Sequence, residues 1–185
     1  MEIIETGISD LKIIKPRFFE DARGYFFESY NEGVLKEHRL DYRFVQDNQS
    51  RSSFGVIRGL HYQLEPKAMA KLVRVLEGKI WDVAVDIRKG SPTFMKWHGV
   101  ELSAENHLQF LVPRGFAHGF SVLSKTATVF YKCDGLYAPD HEAGIRFDDP
   151  ELGVDWKLGV SDRVLSERDL NMPLLKEAKM NFQFS

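Results

Sequence analysis

Strand-like runs follow one another along this chain at intervals too short to hold helices. The clearest is Ile80–Ile87, where Trp81, Val83, Val85 and Ile87 alternate with Asp82, Ala84 and Asp86, the period of a strand with one apolar face. Shorter runs cover 11–14, 25–30, 44–48, 56–62, 71–76, 99–102, 109–112, 116–123 and 126–133, mostly separated by Gly, Pro, Asn or Asp. Helical patterning is confined to Asn31–Leu40, with Asn31 as the cap, and to the tail from Ser166. So many strands with so little helix between them cannot build a doubly wound α/β sheet. The expected fold is all-β: a jelly roll, that is, an antiparallel sandwich or barrel with a few short helices.

Length and charge narrow the function. At 185 residues one domain spanning 1–185 is expected, since two would each be small, and no repeat or linker interrupts the sequence. Such a chain buries roughly 70% of its unfolded surface, enough to fold without disulfides or structural metals. Lys+Arg 25 against Asp+Glu 27 leaves a net charge of -2, which lacks the positive field that nucleic-acid binding draws on. The one cysteine, Cys133, excludes an intrachain disulfide and a cysteine-based zinc site, and fits a reducing compartment. Residues Met1–Glu5 are acidic and carry no signal-peptide pattern, and no run approaches the ~20 apolar residues of a membrane span. A cytoplasmic protein with no membrane or nucleic-acid partner is expected.

Polar residues inside strands are the anomaly, because a purely structural sandwich fills its inward positions with apolar side chains. Arg58 and His61 stand three apart in Ile57–Gln63, so a regular strand points them to opposite faces and only a bulge near Gly59 brings them together. Lys71 shares the parity of Val73 and Val75, which places an ammonium on an apolar face or at its rim. His118 lies in Pro113–Phe120, and Tyr131 in the strand Thr126–Cys133. Taken singly, a strand histidine or tyrosine is more often structural.

The segments Arg58–Gln63 and Pro113–Phe120 resemble the two signature motifs of the cupin superfamily of jelly rolls. Metal-binding cupins converge three or four His and Glu side chains on one ion. Here Gln63 replaces the second histidine and Lys71 stands near the carboxylate position, where a cation repels a divalent metal. No metal and no cofactor is therefore expected. A histidine, a lysine and a phenol without a metal suit proton abstraction beside a carbonyl: imidazole takes the proton, the cation holds the enolate, and the phenol returns a proton.

A longer set of motifs resembles the dTDP-4-dehydrorhamnose 3,5-epimerase family between about Ile13 and Leu175. It comprises Asp21–Glu28, Phe44–Asn48, Arg58–Gln63, Lys71–Arg74, Asp82–Asp86, Ser91–Thr93, Pro113–Phe120, Phe130–Lys132, Asp148–Pro150 and Leu165–Asp169. The resemblance implies His61 as the base with Asp169 orienting its ring, Tyr131 as the proton donor on the other face of the sugar, and Lys71 beside the C4 oxygen. It implies Arg23, Arg58 and Arg168 as pyrophosphate contacts, Gln46 and Asn48 as amide contacts, Tyr137 as a stacking surface for thymine, and Glu28 and Glu142 as acidic nucleotide contacts. His118 matches a site histidine, with Asp82 as its expected partner. The implied substrate is a dTDP-linked 4-keto-6-deoxyhexose, and the implied assembly a homodimer that shares strands. Two segments depart from the family pattern, Gly135–Leu136 before the stacking tyrosine and Lys157 after Trp156. A single-site 3-epimerase or ketoisomerase and a non-catalytic sugar-binding cupin are the alternatives; Gln63 and Lys71 oppose a metal-dependent oxygenase.

Overall fold

The computed structural model describes residues 1–184. Thirteen strands are present among them: β1 (Glu2–Glu5), β2 (Lys12–Lys15), β3 (Phe18–Asp21), β4 (Gly24–Phe27), β5 (Gln46–Ser53), β6 (Ile57–Gln63), β7 (Lys71–Glu77), β8 (Lys79–Asp86), β9 (Trp97–Ser103), β10 (Gln109–Val112), β11 (Phe116–Val122), β12 (Thr126–Cys133) and β13 (Glu142–Gly144). Two short α-helices, α1 (Glu32–Glu37) and α2 (Glu167–Leu170), and three 3-10 turns at Pro139–His141, Val160–Asp162 and Leu175–Glu177 complete the regular structure. The strands form a six-stranded sheet in the order β1-β2-β10-β7-β12-β5, a five-stranded sheet in the order β13-β6-β11-β8-β9, and a separate hairpin of β3 and β4. The two larger sheets pack face to face as the expected jelly-roll sandwich, antiparallel throughout.

Between the sheets lies a core to which both contribute: Val73, Val75, Phe110, Val112 and Val129 from the six-stranded sheet, and Ile80, Ala84, Leu102, Phe116 and Phe120 from the five-stranded one. Each of the Val, Ile, Leu and Phe side chains among them contributes about 1.5–3 kcal/mol when fully buried. A second apolar cluster covers the outer face of the five-stranded sheet, where the segment from Ile145 onward lays Phe147, Leu152, Trp156, Leu175 and Phe182 over Val83, Val85 and Ile87. The sequence expectation of one apolar face for Ile80–Ile87 is thereby corrected, because β8 is buried on both faces. Its Val83 and Val85, with Ile87 just beyond its end, pack under the C-terminal segment, while Ile80 and Ala84 pack in the inter-sheet core. Asp82 shares the parity of Ile80 and Ala84, so the polar half of the alternation faces the interior.

The local differences from sequence are also physical. Asn31 caps α1 as expected, its Oδ1 accepting from the Val34 N–H at 3.2 Å, but the helix stops at Glu37 instead of reaching Leu40. Arg39 adopts φ 62°, and the chain turns so that the Leu40 N–H donates to the Leu35 carbonyl at 2.9 Å. Leu35 and Leu40 then cover Leu72 and Leu111 on the outside of the six-stranded sheet. The tail holds the single turn α2 and a 3-10 turn at Leu175–Glu177.

Candidate active site

A cavity opens between the two sheets. Its side chains are delivered in rows by strand register. On the six-stranded sheet Gln46 pairs with Cys133 and Cys133 with Lys71, forming one row; Asn48, Tyr131 and Val73 form the next. Residues two apart on a strand share a face, so the inward position of buried Val73 and Val75 carries Lys71, Tyr131, Gln46 and Asn48 inward as well. On the five-stranded sheet His61 stands directly opposite His118. The cavity is therefore flanked by histidines on one sheet and by a tyrosine and a lysine on the other.

A bulge resolves the parity problem of Arg58 and His61. The β6–β11 register runs from His61 opposite His118 to Arg58 opposite Phe120, three residues against two. Gly59 occupies the irregularity with φ 140°, and a Cβ there would lie 2.5 Å from the Gly119 Cα. Arg58 then donates from Nε to Ser52 Oγ at 3.1 Å, and Ser52 shares the inward face of Gln46 and Asn48. Its charge acts on Tyr131.

Two His–Asp pairs line up on the five-stranded side. His61 Nε2 lies 2.5 Å from Asp169 Oδ1, and His118 Nε2 lies 2.6 Å from Asp82 Oδ1. Asp169 is presented by α2, whose cap Ser166 accepts from the Asp169 N–H at 3.1 Å and donates from Oγ to Asp169 Oδ2 at 2.8 Å. Burial alone raises the Asp169 pKa, but the hydrogen bonds from His61 and Ser166 outweigh it and hold the carboxyl below its ordinary value. An ionised Asp169 accepts from one ring nitrogen of His61, which lines the cavity. Asp82 is fully buried, and its Oδ2 has no hydrogen-bond partner among the described residues.

Opposite them, burial lowers the Lys71 pKa, partly offset by the nearby Cys133, Asp82 and Glu142. Its Nζ lies 5.9 Å from the centre of the Tyr131 ring. Burial raises the Tyr131 pKa, keeping the phenol protonated as a donor requires. At the mouth, Glu142 joins two residues that the motifs treat separately: it accepts from Tyr137 Oη at 2.8 Å and pairs with Arg168 Nη2 at 2.5 Å. These contacts hold its carboxyl below the usual range in spite of burial.

Arg23 and Glu28 stand apart. Arg23 lies at the turn of the β3–β4 hairpin, 2.6 Å from Asp21, and Glu28 follows β4; neither lines the cavity of its own chain. Cys133, Met69, Phe116 and Gln63 line it without having been singled out as site residues. Cys133 was within reach of sequence reasoning, being two residues from Tyr131 and so on the same strand face. Gln63 lies beyond the bulge, and its amide is occupied by neighbouring backbone. Among the described residues no three His, Cys, Asp or Glu side chains converge as a metal site requires.

Comparison with protein families matches residues 5–177 to dTDP-4-dehydrorhamnose 3,5-epimerase. The chain belongs to this family. It is 51% identical over 175 residues to the dTDP-4-dehydrorhamnose 3,5-epimerase of Methanothermobacter thermautotrophicus, covering 94% of each protein. The crystal structure of the Elizabethkingia anophelis dTDP-4-dehydrorhamnose 3,5-epimerase superposes with a TM-score of 0.92 at 54% identity, covering 96% of this chain and 97% of that one. That of the dTDP-6-deoxy-D-glucose-3,5-epimerase from Legionella pneumophila, in complex with dTDP-4-keto-L-rhamnose, gives 0.91 at 51% identity, covering 95% and 93%. The two departures from the epimerase family pattern fall in different places. Trp156 is buried in the outer cluster, donating to the Phe147 carbonyl at 2.8 Å, so Lys157 lies outside the cavity wall. Gly135 instead packs against Met69 beside the cavity.

Proposed function

We propose that this chain inverts C3 and C5 of dTDP-4-dehydro-6-deoxy-D-glucose to give dTDP-4-dehydro-β-L-rhamnose, on the route to dTDP-L-rhamnose. The observation that carries this reading is the placement of a His–Asp dyad and a protonated phenol on opposing sheets of one cavity, with a lysine on the phenol's side. Both reacting carbons flank the C4 ketone, so their protons are acidified by the same carbonyl. His61, its second nitrogen held by Asp169, removes the proton from one face. The electron pair moves to the C4 oxygen, where the Lys71 ammonium stabilises the enolate. Tyr131 delivers a proton to the other face, and the configuration inverts. His61 is left protonated and Tyr131 deprotonated, and exchange with solvent resets both.

The remaining polar groups suit the nucleotide: Gln46 and Asn48 on the inward face of β5, Tyr137 exposed at the mouth, and Glu142 with Arg168 beside it. Arg23 and Glu28 reach a site only if the β3–β4 hairpin crosses to a second copy. Phe19, Tyr25 and Phe26 on that hairpin are 48%, 63% and 70% exposed, an apolar patch suited to such an exchange. A homodimer that shares this hairpin is accordingly part of the proposal. The catalytic reading is tested by incubating the protein with the 4-keto sugar nucleotide in deuterated water. Deuterium is expected at both C3 and C5. Label at C3 alone selects a single-site epimerase, and no label selects a binding protein.

A further inference from the structure

Gln63 has no part in the proton transfers, yet its side chain is buried and both of its polar atoms are hydrogen-bonded. Nε2 donates to the Lys67 carbonyl at 2.6 Å and to the Leu136 carbonyl at 3.3 Å, and Oε1 accepts from the Ala138 N–H at 2.8 Å. These partners belong to two loops, residues 64–70 and 134–138, which bring Met69 and Tyr137 to the cavity wall. The loops are tied again farther out, where Asp134 accepts from the Ala70 N–H at 2.6 Å and pairs with Arg114 Nη2 at 2.6 Å. They are nearly in contact at Gly135, where a Cβ would lie 3.3 Å from the Met69 Cβ. Tyr137 itself is half exposed, so no packed core fixes its ring. Its Oη is tethered to Glu142 at 2.8 Å, and its backbone, which sets where the ring begins, is held by Gln63 through both neighbours and by Gln46 Oε1 through its own N–H at 3.0 Å.

We infer that Gln63 is a positioning residue for nucleotide binding: its amide sets the gap between Met69 and Tyr137, and through it the affinity for the base half of the substrate. The inference rests on the reading that Tyr137 stacks on the base. Only a primary amide supplies two N–H donors and an acceptor from one planar group, which is what two carbonyls and an N–H on separate loops require. Gln63 thus has a use for its amide two residues from His61, on the same strand.

Gln63→Met keeps length and approximate shape while deleting all three hydrogen bonds. Gln63→Glu keeps the acceptor for Ala138 but turns an oxygen toward the Lys67 and Leu136 carbonyls, and it serves if the methionine variant does not fold. Affinity for dTDP and steady-state kinetics are measured for each, alone and with Tyr137→Ala. Alone, either substitution is expected to weaken dTDP binding and raise KM about tenfold, with kcat held within about threefold. In the Tyr137→Ala background neither adds a further loss, because no ring remains to be placed. Equal losses in both backgrounds, or a fall in kcat at constant KM, overturn the inference while leaving the stacking reading intact. If Tyr137→Ala alone leaves dTDP affinity unchanged, the stacking reading fails and takes the inference with it.

Discussion

Lys71 concentrates the conflict between stability and chemistry in one side chain. It stands in a row of inward residues that continues into Val73 and Val75, and desolvation depresses its pKa. A folded-state pKa below the unfolded value means that the unfolded chain holds more protons between the two, so stability rises with pH through that window. Below the window, where the amine is charged in both states, the cost of desolvating it is present in full. Lys71→Met is therefore expected to raise Tm, by about 2–4 °C for each kcal/mol relieved, while kcat falls on the order of 10²–10³-fold through loss of enolate stabilisation. Calorimetry and turnover at pH 7 check both halves; a variant that is less stable, or that turns over normally, removes Lys71 from the role. The lysine was visible in the sequence as a cation on an apolar parity. What could not be read was its company: Cys133 lies in the same row only because β7 and β12 pair in one particular register.

At the scale of the element, α2 is a single turn that does the work of a longer support. Arg168 reaches Glu142 and Asp169 reaches His61 from adjacent positions, and Ser166 holds the turn by its cap and Asp169 by its hydroxyl. Ser166→Ala removes both contacts. The cap is worth about 1 kcal/mol, and the loss is expected as a lowered Tm. The second effect is on pH: the hydrogen bond from Ser166 helps to lower the Asp169 pKa, so its loss raises that pKa. An ionised Asp169 is the active form, so the acid limb of the kcat profile moves to higher pH. A profile superimposable on that of the parent chain separates the cap from the dyad. The motif Leu165–Asp169 marked these residues, but the meeting of Asp169 with a strand 108 residues earlier depends on how the C-terminal segment wraps the five-stranded sheet. Likewise, a bulge was the stated condition for Arg58 and His61 to cooperate, and Gly59 hinted at it; only the pairing of β6 with β11 places the extra residue.

Across the whole molecule, the antiparallel sandwich followed from short alternating runs, whereas the direction in which β8 faces did not. Alternation reports two faces, and a sheet covered on the outside by a long irregular segment buries both, so the apolar half need not be the half that looks into the cavity. The hairpin of β3 and β4 poses the complementary problem, since its aromatics are exposed and its Arg23 lies outside the cavity of its own chain. In an exchanged dimer each cavity takes His61 from one subunit and Arg23 from the other. Arg23→Ala and His61→Asn chains, each inactive or severely impaired alone, are then expected to restore activity when unfolded together and refolded as a mixture. Half of randomly paired dimers are mixed, and each of these has one intact site, so recovery approaches about a quarter of the parent activity. If Arg23 is merely a surface partner of Asp21, the Arg23→Ala chain is active by itself. If it acts within its own chain, mixing restores nothing, because no combination unites an intact His61 with an intact Arg23. Sedimentation of the parent chain at the assay concentration supplies the independent check, and a monomer there excludes exchange of the hairpin.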